Sequence, residues 1–196
     1  MALALYPART ALLVMDYQPA LVDGLPDADR RLSVVGEALQ TVREHGAHVA
    51  YVRVALNDDD YANVPEHSQF AGRARQLGRA LHADAPGTQV HPRVAPHEGD
   101  VVVRKSRVGA FSTTDLHEQL RARGVDTIVL AGFSTSGVVL STVRDAADRD
   151  YRVVVLSDAC TDPDPQVHTF LVERIFPRQA TVVTTAELAP ALAADA

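Results

Sequence analysis

Three short apolar runs in this sequence end in residues able to do chemistry. Thr10-Ala11-Leu12-Leu13-Val14-Met15 ends in Asp16, and Val101-Val102-Val103 ends in Arg104-Lys105. Thr127 to Ala131 runs into Gly132-Phe133-Ser134-Thr135-Ser136-Gly137-Val138. An aspartate and a lysine sharing a pocket each favour the charged form of the other, while partial burial opposes it. Such a pair can place a proton at a chosen atom. The same pair can also serve only as a salt bridge between strand ends, and the spacing leaves both uses open. A helix starting near Ser136 would present free backbone N–H groups and a partial positive charge to an oxyanion. Val138, where that turn would place a nucleophile, carries no reactive atom.

These residues need strands to carry them and helices to cover the strands. Strands are expected at Thr10 to Asp16, His48 to Ala55, Val101 to Arg104, Asp126 to Ala131, Tyr151 to Leu156 and Ala180 to Thr184. Leu32, Val35, Leu39 and Val42 recur at a helical period over Asp29 to His45, and Gly46 closes that helix. Ser112-Thr113-Thr114-Asp115 reads as the cap of a helix running to Arg123, before Gly124. Further helices are expected at about Gly137 to Arg149 and about Pro165 to Phe176. Asn57 to Pro96 reads as irregular, with one helix around Gln69 to Leu81, and Ala186 to Ala196 as a short helix or a frayed tail. Alternating strands and helices call for a parallel sheet covered on both faces. The expected fold is therefore a three-layer α/β/α, Rossmann-like domain with about six strands, formed by residues 1–196 as one unit.

Composition narrows the function classes. A net charge of −6 gives no basic footprint for nucleic acid. No apolar run reaches the roughly 20 residues of a membrane span, and the first residues lack a basic start and long apolar region. A single cysteine, Cys160, cannot form an internal disulfide; it reads as a small buried residue. A cytoplasmic protein is the expectation. Asp58-Asp59-Asp60 with His67 supplies metal-ligand types without ligand spacing, so it reads as a solvated acidic loop and no metal is expected. No histidine stands at a recognisable triad spacing from Ser134, Thr135, Ser136 or Ser141, which argues against Ser–His chemistry.

Four segments in order resemble the motifs of the isochorismatase-like hydrolases, also called the cysteine hydrolase superfamily. They are Leu13-Val14-Met15-Asp16-Tyr17-Gln18; Val103-Arg104-Lys105 with Ala110-Phe111 and Thr114-Asp115-Leu116; Leu130-Ala131-Gly132 through Ser141-Thr142 with Asp145-Ala146-Ala147; and Asp158-Ala159-Cys160. The resemblance spans roughly residues 10 to 187. It implies a Rossmann-like sheet and an Asp–Lys–Cys triad, with Asp16 and Lys105 as the first two members and Val138 at the position of the third. It also implies a cis peptide at Phe133–Ser134 that would aim the N–H groups of Gly137 and Val138 into the pocket.

Without a thiol at position 138 the family's usual covalent amidase route lacks its nucleophile, which leaves vinyl-ether or related C–O or C–N hydrolysis. The family's isochorismatases proper, which have a small residue at that position, hydrolyse a vinyl ether by aspartate protonation and water addition. The resemblance therefore implies a small-molecule hydrolase using Asp16 and Lys105, with Tyr17, Gln18, Phe111, Phe133, Ser134, Ser136, Gly137 and Val138 as the substrate-binding wall. Tyr17 and Phe111 can equally be read as packing at the strand ends. The resemblance implies no cofactor, and a homodimer or larger homo-oligomer. The alternative is a catalytically silent member that binds a small molecule or serves as a partner subunit.

Overall fold

A computed structural model describes residues 3–193, with Ala71 described by its backbone only. Its six strands are β1 (Thr10–Met15), β2 (His48–Val54), β3 (Val101–Lys105), β4 (Thr127–Phe133), β5 (Arg152–Thr161) and β6 (Thr181–Val183). They form one sheet in the order β3-β2-β1-β4-β5-β6, with every neighbouring pair parallel. β1 is buried along its whole length and β4 up to Gly132, because helices cover both faces. That is why they read as continuous apolar runs instead of alternating ones. The chain moves outward from β1 through β2 to β3, then returns to β4 on the other flank of β1. The carboxyl ends of β1 and β4 thus border the crevice where open α/β sheets place their ligands.

The helices are α1 (Pro19–Val22), α2 (Ala28–Glu44), α3 (Asp58–Asn63), α4 (Gln69–Leu77), α5 (Leu116–Ala122), α6 (Leu140–Asp148), α7 (Pro165–Phe170) and α8 (Leu188–Ala193). One face of the sheet carries Leu13, Met15 and Val103 against Leu116 and Leu120 of α5, Val143 and Ala146 of α6, and Leu171 just beyond α7. The other carries Leu12, Val14 and Val154 against Leu32, Val35, Leu39 and Val42 of α2 and Leu188 and Leu192 of α8. Period two in the strands and about 3.6 in the helices sort the apolar residues into these two layers.

Several elements differ from the sequence expectation. The acidic run is no solvated loop: Asp58 to Asp60 form the first turn of α3. Asn57 caps that turn by accepting from the Asp60 N–H at 2.8 Å, while the Asp60 carboxylate accepts from the Asn57 N–H at 3.0 Å. The helix expected around Gln69 to Leu81 is α4, which ends at Leu77 and tightens into a 3-10 turn over Gly78–Leu81. The expected Ser112–Asp115 cap is a turn preceding α5, in which Thr114 Oγ1 donates to the Ala110 carbonyl at 2.7 Å. β5 runs five residues past Leu156 to Thr161, because an irregularity between Leu130 and Gly132 of β4 lets the chain bulge and then re-pair at Gly132↔Cys160. α6 is entered through a π-helical turn, Thr135–Val139. The tail is helical through Ala193, with Ala191 and Leu192 buried; its last residues, and the first two of the chain, lie outside the described residues.

Candidate functional site

Lys105 ends β3 and Asp16 follows β1, on either side of β2. Lys105 Nζ donates to Asp16 Oδ2 at 2.8 Å and to the Val108 carbonyl at 2.8 Å. Strand alternation puts Lys105 on the face of Val103, and it would put Asp16 on the opposite face, with Val14. Asp16 escapes that alternation because its φ is 61°. This left-handed backbone, which aspartate tolerates better than most residues, turns the carboxylate to the lysine's side. Tyr17, one residue on, is back on the Val14 face.

The pair is enclosed, with Asp16 at 5 % and Lys105 at 2 % exposure. Burial holds the Asp16 carboxyl above its ordinary range, and the Lys105 ammonium opposes the shift without cancelling it. Its two oxygens have different fates. Oδ2 is clamped by Lys105, whereas Oδ1 is enclosed with no hydrogen-bond partner among the described residues. Buried polar atoms are nearly always paired, so the unpaired Oδ1 stands out.

The elbow after β4 forms the third side. The Phe133–Ser134 peptide is cis. The Gly137 N–H does not point into the pocket as expected: it donates to the Ser134 carbonyl at 3.2 Å and to Ser134 Oγ at 3.1 Å. The Ser136 N–H donates to Asp162 Oδ2 at 2.7 Å. Two elbow donors are thus spent within the protein. Val138 is 2 % exposed and belongs to the apolar cluster that contains Met15 and Val103. Val108, whose carbonyl holds Lys105, reaches across to the elbow: its Cγ1 lies 4.0 Å from where a Cβ on Gly137 would sit.

Three of the expected wall residues are committed elsewhere. Gln18 is a strut: its Nε2 donates to the Val54 and Thr88 carbonyls at 2.9 and 2.8 Å, and its Oε1 accepts from the Val54 N–H at 2.8 Å. Tyr17 donates its hydroxyl to the Ala159 carbonyl at 2.8 Å on the far face of the sheet. Phe111 stacks on Tyr151, with ring centroids 5.8 Å apart, beneath the Arg149 guanidinium. Phe133 and Ser134 are half-buried, and Ser136 is exposed.

Two contributors escaped the sequence reading. Asp162 fixes the elbow from just beyond β5, and His168 of α7 meets Thr135 with Nδ1 2.8 Å from Oγ1. Asp162-Pro163-Asp164-Pro165 gives no sign of the first role beyond a turn. The separation of 33 positions from Thr135 to His168 hides the second. Among the described residues no group of three or more His, Cys, Asp or Glu side chains is placed to hold a metal ion.

The chain is similar over most of its length to known proteins. The family model of the isochorismatase domain matches residues 10–187. An uncharacterized isochorismatase family protein of Bacillus subtilis is 34% identical over 91% of this chain and 92% of its own length. A probable isochorismatase of Pseudomonas chlororaphis is 31% identical over 93% of this chain and 86% of its own. The solved structure of an isochorismatase family protein from Burkholderia thailandensis superposes with a TM-score of 0.83 at 31% identity, covering 98% of this chain and 99% of that one.

Proposed function

Because this chain belongs to the isochorismatase family, we propose that it is a small-molecule hydrolase acting without a covalent enzyme intermediate, with Asp16 as proton donor and Lys105 as the group that sets its charge state. The observation that carries the reading is the asymmetry of the Asp16 carboxyl, one oxygen held by Lys105 and the other enclosed and unpartnered. A carboxyl raised above its ordinary range by burial keeps a proton that it can give away.

A vinyl ether suits this donor. Asp16 protonates the terminal enol-ether carbon, and the ether oxygen supplies the electron pair that stabilises the resulting cation. Water adds to that cation and returns a proton to the Asp16 carboxylate. The hemiketal then collapses, breaking the C–O bond to give a ketone and an alcohol. No step needs a nucleophile at Val138, and none draws on the Gly137 N–H that Ser134 has taken. Similarity to the probable isochorismatase of Pseudomonas chlororaphis supports the same substrate class. A homodimer or larger homo-oligomer belongs to this reading, and sedimentation of the pure protein checks it.

The test is hydrolysis of isochorismate and simpler enol ethers by the pure protein, with Asp16→Asn alongside. An amide cannot deliver the proton, so turnover should fall by about 10²–10⁴-fold. Turnover unchanged in the variant would place the chemistry elsewhere. One observation favours a second reading, a silent member: Asp16, Lys105 and Val138 are each at most 5 % exposed. A protein inert toward every enol ether and small amide tried would support that reading.

A further inference from the structure

A separate, partly open space lies where the start of α2, the distal part of β5 and α7 meet. It is a cavity of about 160 Å³ whose wall includes Arg30, Arg31, His168 and Cys160 together with the carboxylates of Asp27 and Asp158. We propose that it is a binding site for a small carboxylate or similar oxyanion, gripped by the guanidinium groups of Arg30 and Arg31.

The wall holds more donors than its own acceptors use. Arg31 Nε is enclosed and has no acceptor among the described residues. Arg30 makes no ion pair among the described residues and is exposed. The two carboxylates on the wall meet this surplus only in part. Asp158 Oδ1 is already shared between the Thr185 N–H and hydroxyl at 2.8 and 3.0 Å. Asp27 sits at the rim, 56% exposed, and its nearest approach to Arg31 is 3.9 Å. Ser157 donates to the Val183 carbonyl and Cys160 to the Leu130 carbonyl, so neither hydroxyl nor thiol answers the Arg31 Nε–H.

A guanidinium pairs best with a planar carboxylate or a phosphate-like anion through two parallel hydrogen bonds, and the volume admits only a ligand of a few non-hydrogen atoms. His168 completes the wall and is tied through Nδ1 to Thr135 at the elbow. A ligand here therefore touches the same imidazole that braces the turn beside Asp16.

The experiment is thermal unfolding of the full chain in rising acetate or inorganic phosphate, with chloride at matched ionic strength as reference. At about ten times Kd the wild type should melt roughly 3–6 °C higher than in chloride. Arg31→Gln should lose most of that rise and Arg30→Gln part of it. Equal rises in chloride, or a full rise in the folded Arg31→Gln protein, would overturn the proposal. Should Arg31→Gln fail to fold, the His168 ring resonances of the wild-type protein decide. They should move saturably with acetate and stay in place with chloride; no movement overturns the site. Asp16→Asn should bind acetate as the wild type does, so this result is independent of the proposed hydrolysis.

Discussion

Asp16 owes its usefulness to a contest between burial and a neighbouring charge, and the balance can be shifted by one substitution. Burial is the larger influence and lifts its pKa; Lys105 pulls it down. Above that raised pKa the carboxyl has lost its proton and can no longer donate, so hydrolysis should fall as pH climbs through it. Lys105→Met removes the opposing charge. The descending limb of the rate profile should therefore move to higher pH, and a limb that stays in place would deny Lys105 its electrostatic role. The same shift acts on stability. The folded state binds the Asp16 proton more tightly than the unfolded chain does. Its contribution is full below the ordinary aspartate range and is withdrawn as pH rises through the raised pKa. Breaking the pair from one side is worse than removing both members. Above the raised pKa, where the carboxyl is ionised, Asp16→Asn leaves an ammonium enclosed without its counter-ion, a loss of about 3–5 kcal/mol, whereas replacing both partners is often near neutral. Urea unfolding of Asp16→Asn and of the Asp16→Asn/Lys105→Met double variant should show the double variant recovering most of that loss.

At the scale of elements, the elbow depends on how closely β4 approaches β1 and the π-helical turn. A Cβ at Gly132 would lie 2.9 Å from Val139 Cγ2 and 3.2 Å from Met15 Cε. Gly132→Ala should overpack this junction and cost about 1–3 kcal/mol, seen as a lowered melting temperature; an unchanged melt would mean that Val139 and Met15 repack freely. The strands around this junction were legible because burial on both faces writes an uninterrupted apolar run, as in Leu12 to Met15 and Ile128 to Ala131. Asp16 and Lys105 were legible for a related reason, as the charged ends of such runs. What escaped was written in contacts and not in composition. The distal part of β5, Ser157 to Thr161, mixes polar and small residues around a bulge, and nothing in its residue types announces a return to the sheet. The three aspartates at Asp58 to Asp60 resemble solvated loop until Asn57 is seen to cap them. Gln18, Tyr17 and Phe111 were placed at the site by the family resemblance. Their hydrogen bonds and ring stacking spend them on packing instead. The Gly137 N–H, expected free, is taken by Ser134, one turn away on the same loop.

On the scale of the whole molecule the hydrolase reading turns on entry, since Asp16 and Lys105 lie under a cover. Val108 is that cover's visible part: its carbonyl holds Lys105, its side chain reaches the elbow, and it is itself 42% exposed. A thiol at position 138 reports whether the cover lifts in the folded protein. Valine and cysteine are close in volume, so Val138→Cys should fold normally. The wild-type background is quiet, because Cys160 is 3% exposed and burial pushes its thiol up to about 12, where almost no reactive thiolate exists at neutral pH. Two regimes of alkylation by iodoacetamide are then distinguishable. If the turn carrying Val108 opens locally, labelling of Val138→Cys proceeds far faster than global unfolding and is nearly independent of low urea concentration. If the site is reached only when the chain unfolds, labelling accelerates with urea along the same slope as unfolding itself. The hydrolase reading expects the first regime, with a competing enol ether slowing the reaction. Labelling that follows global unfolding would leave the Asp16–Lys105 pair sealed in the native protein, and the silent-member reading would replace it.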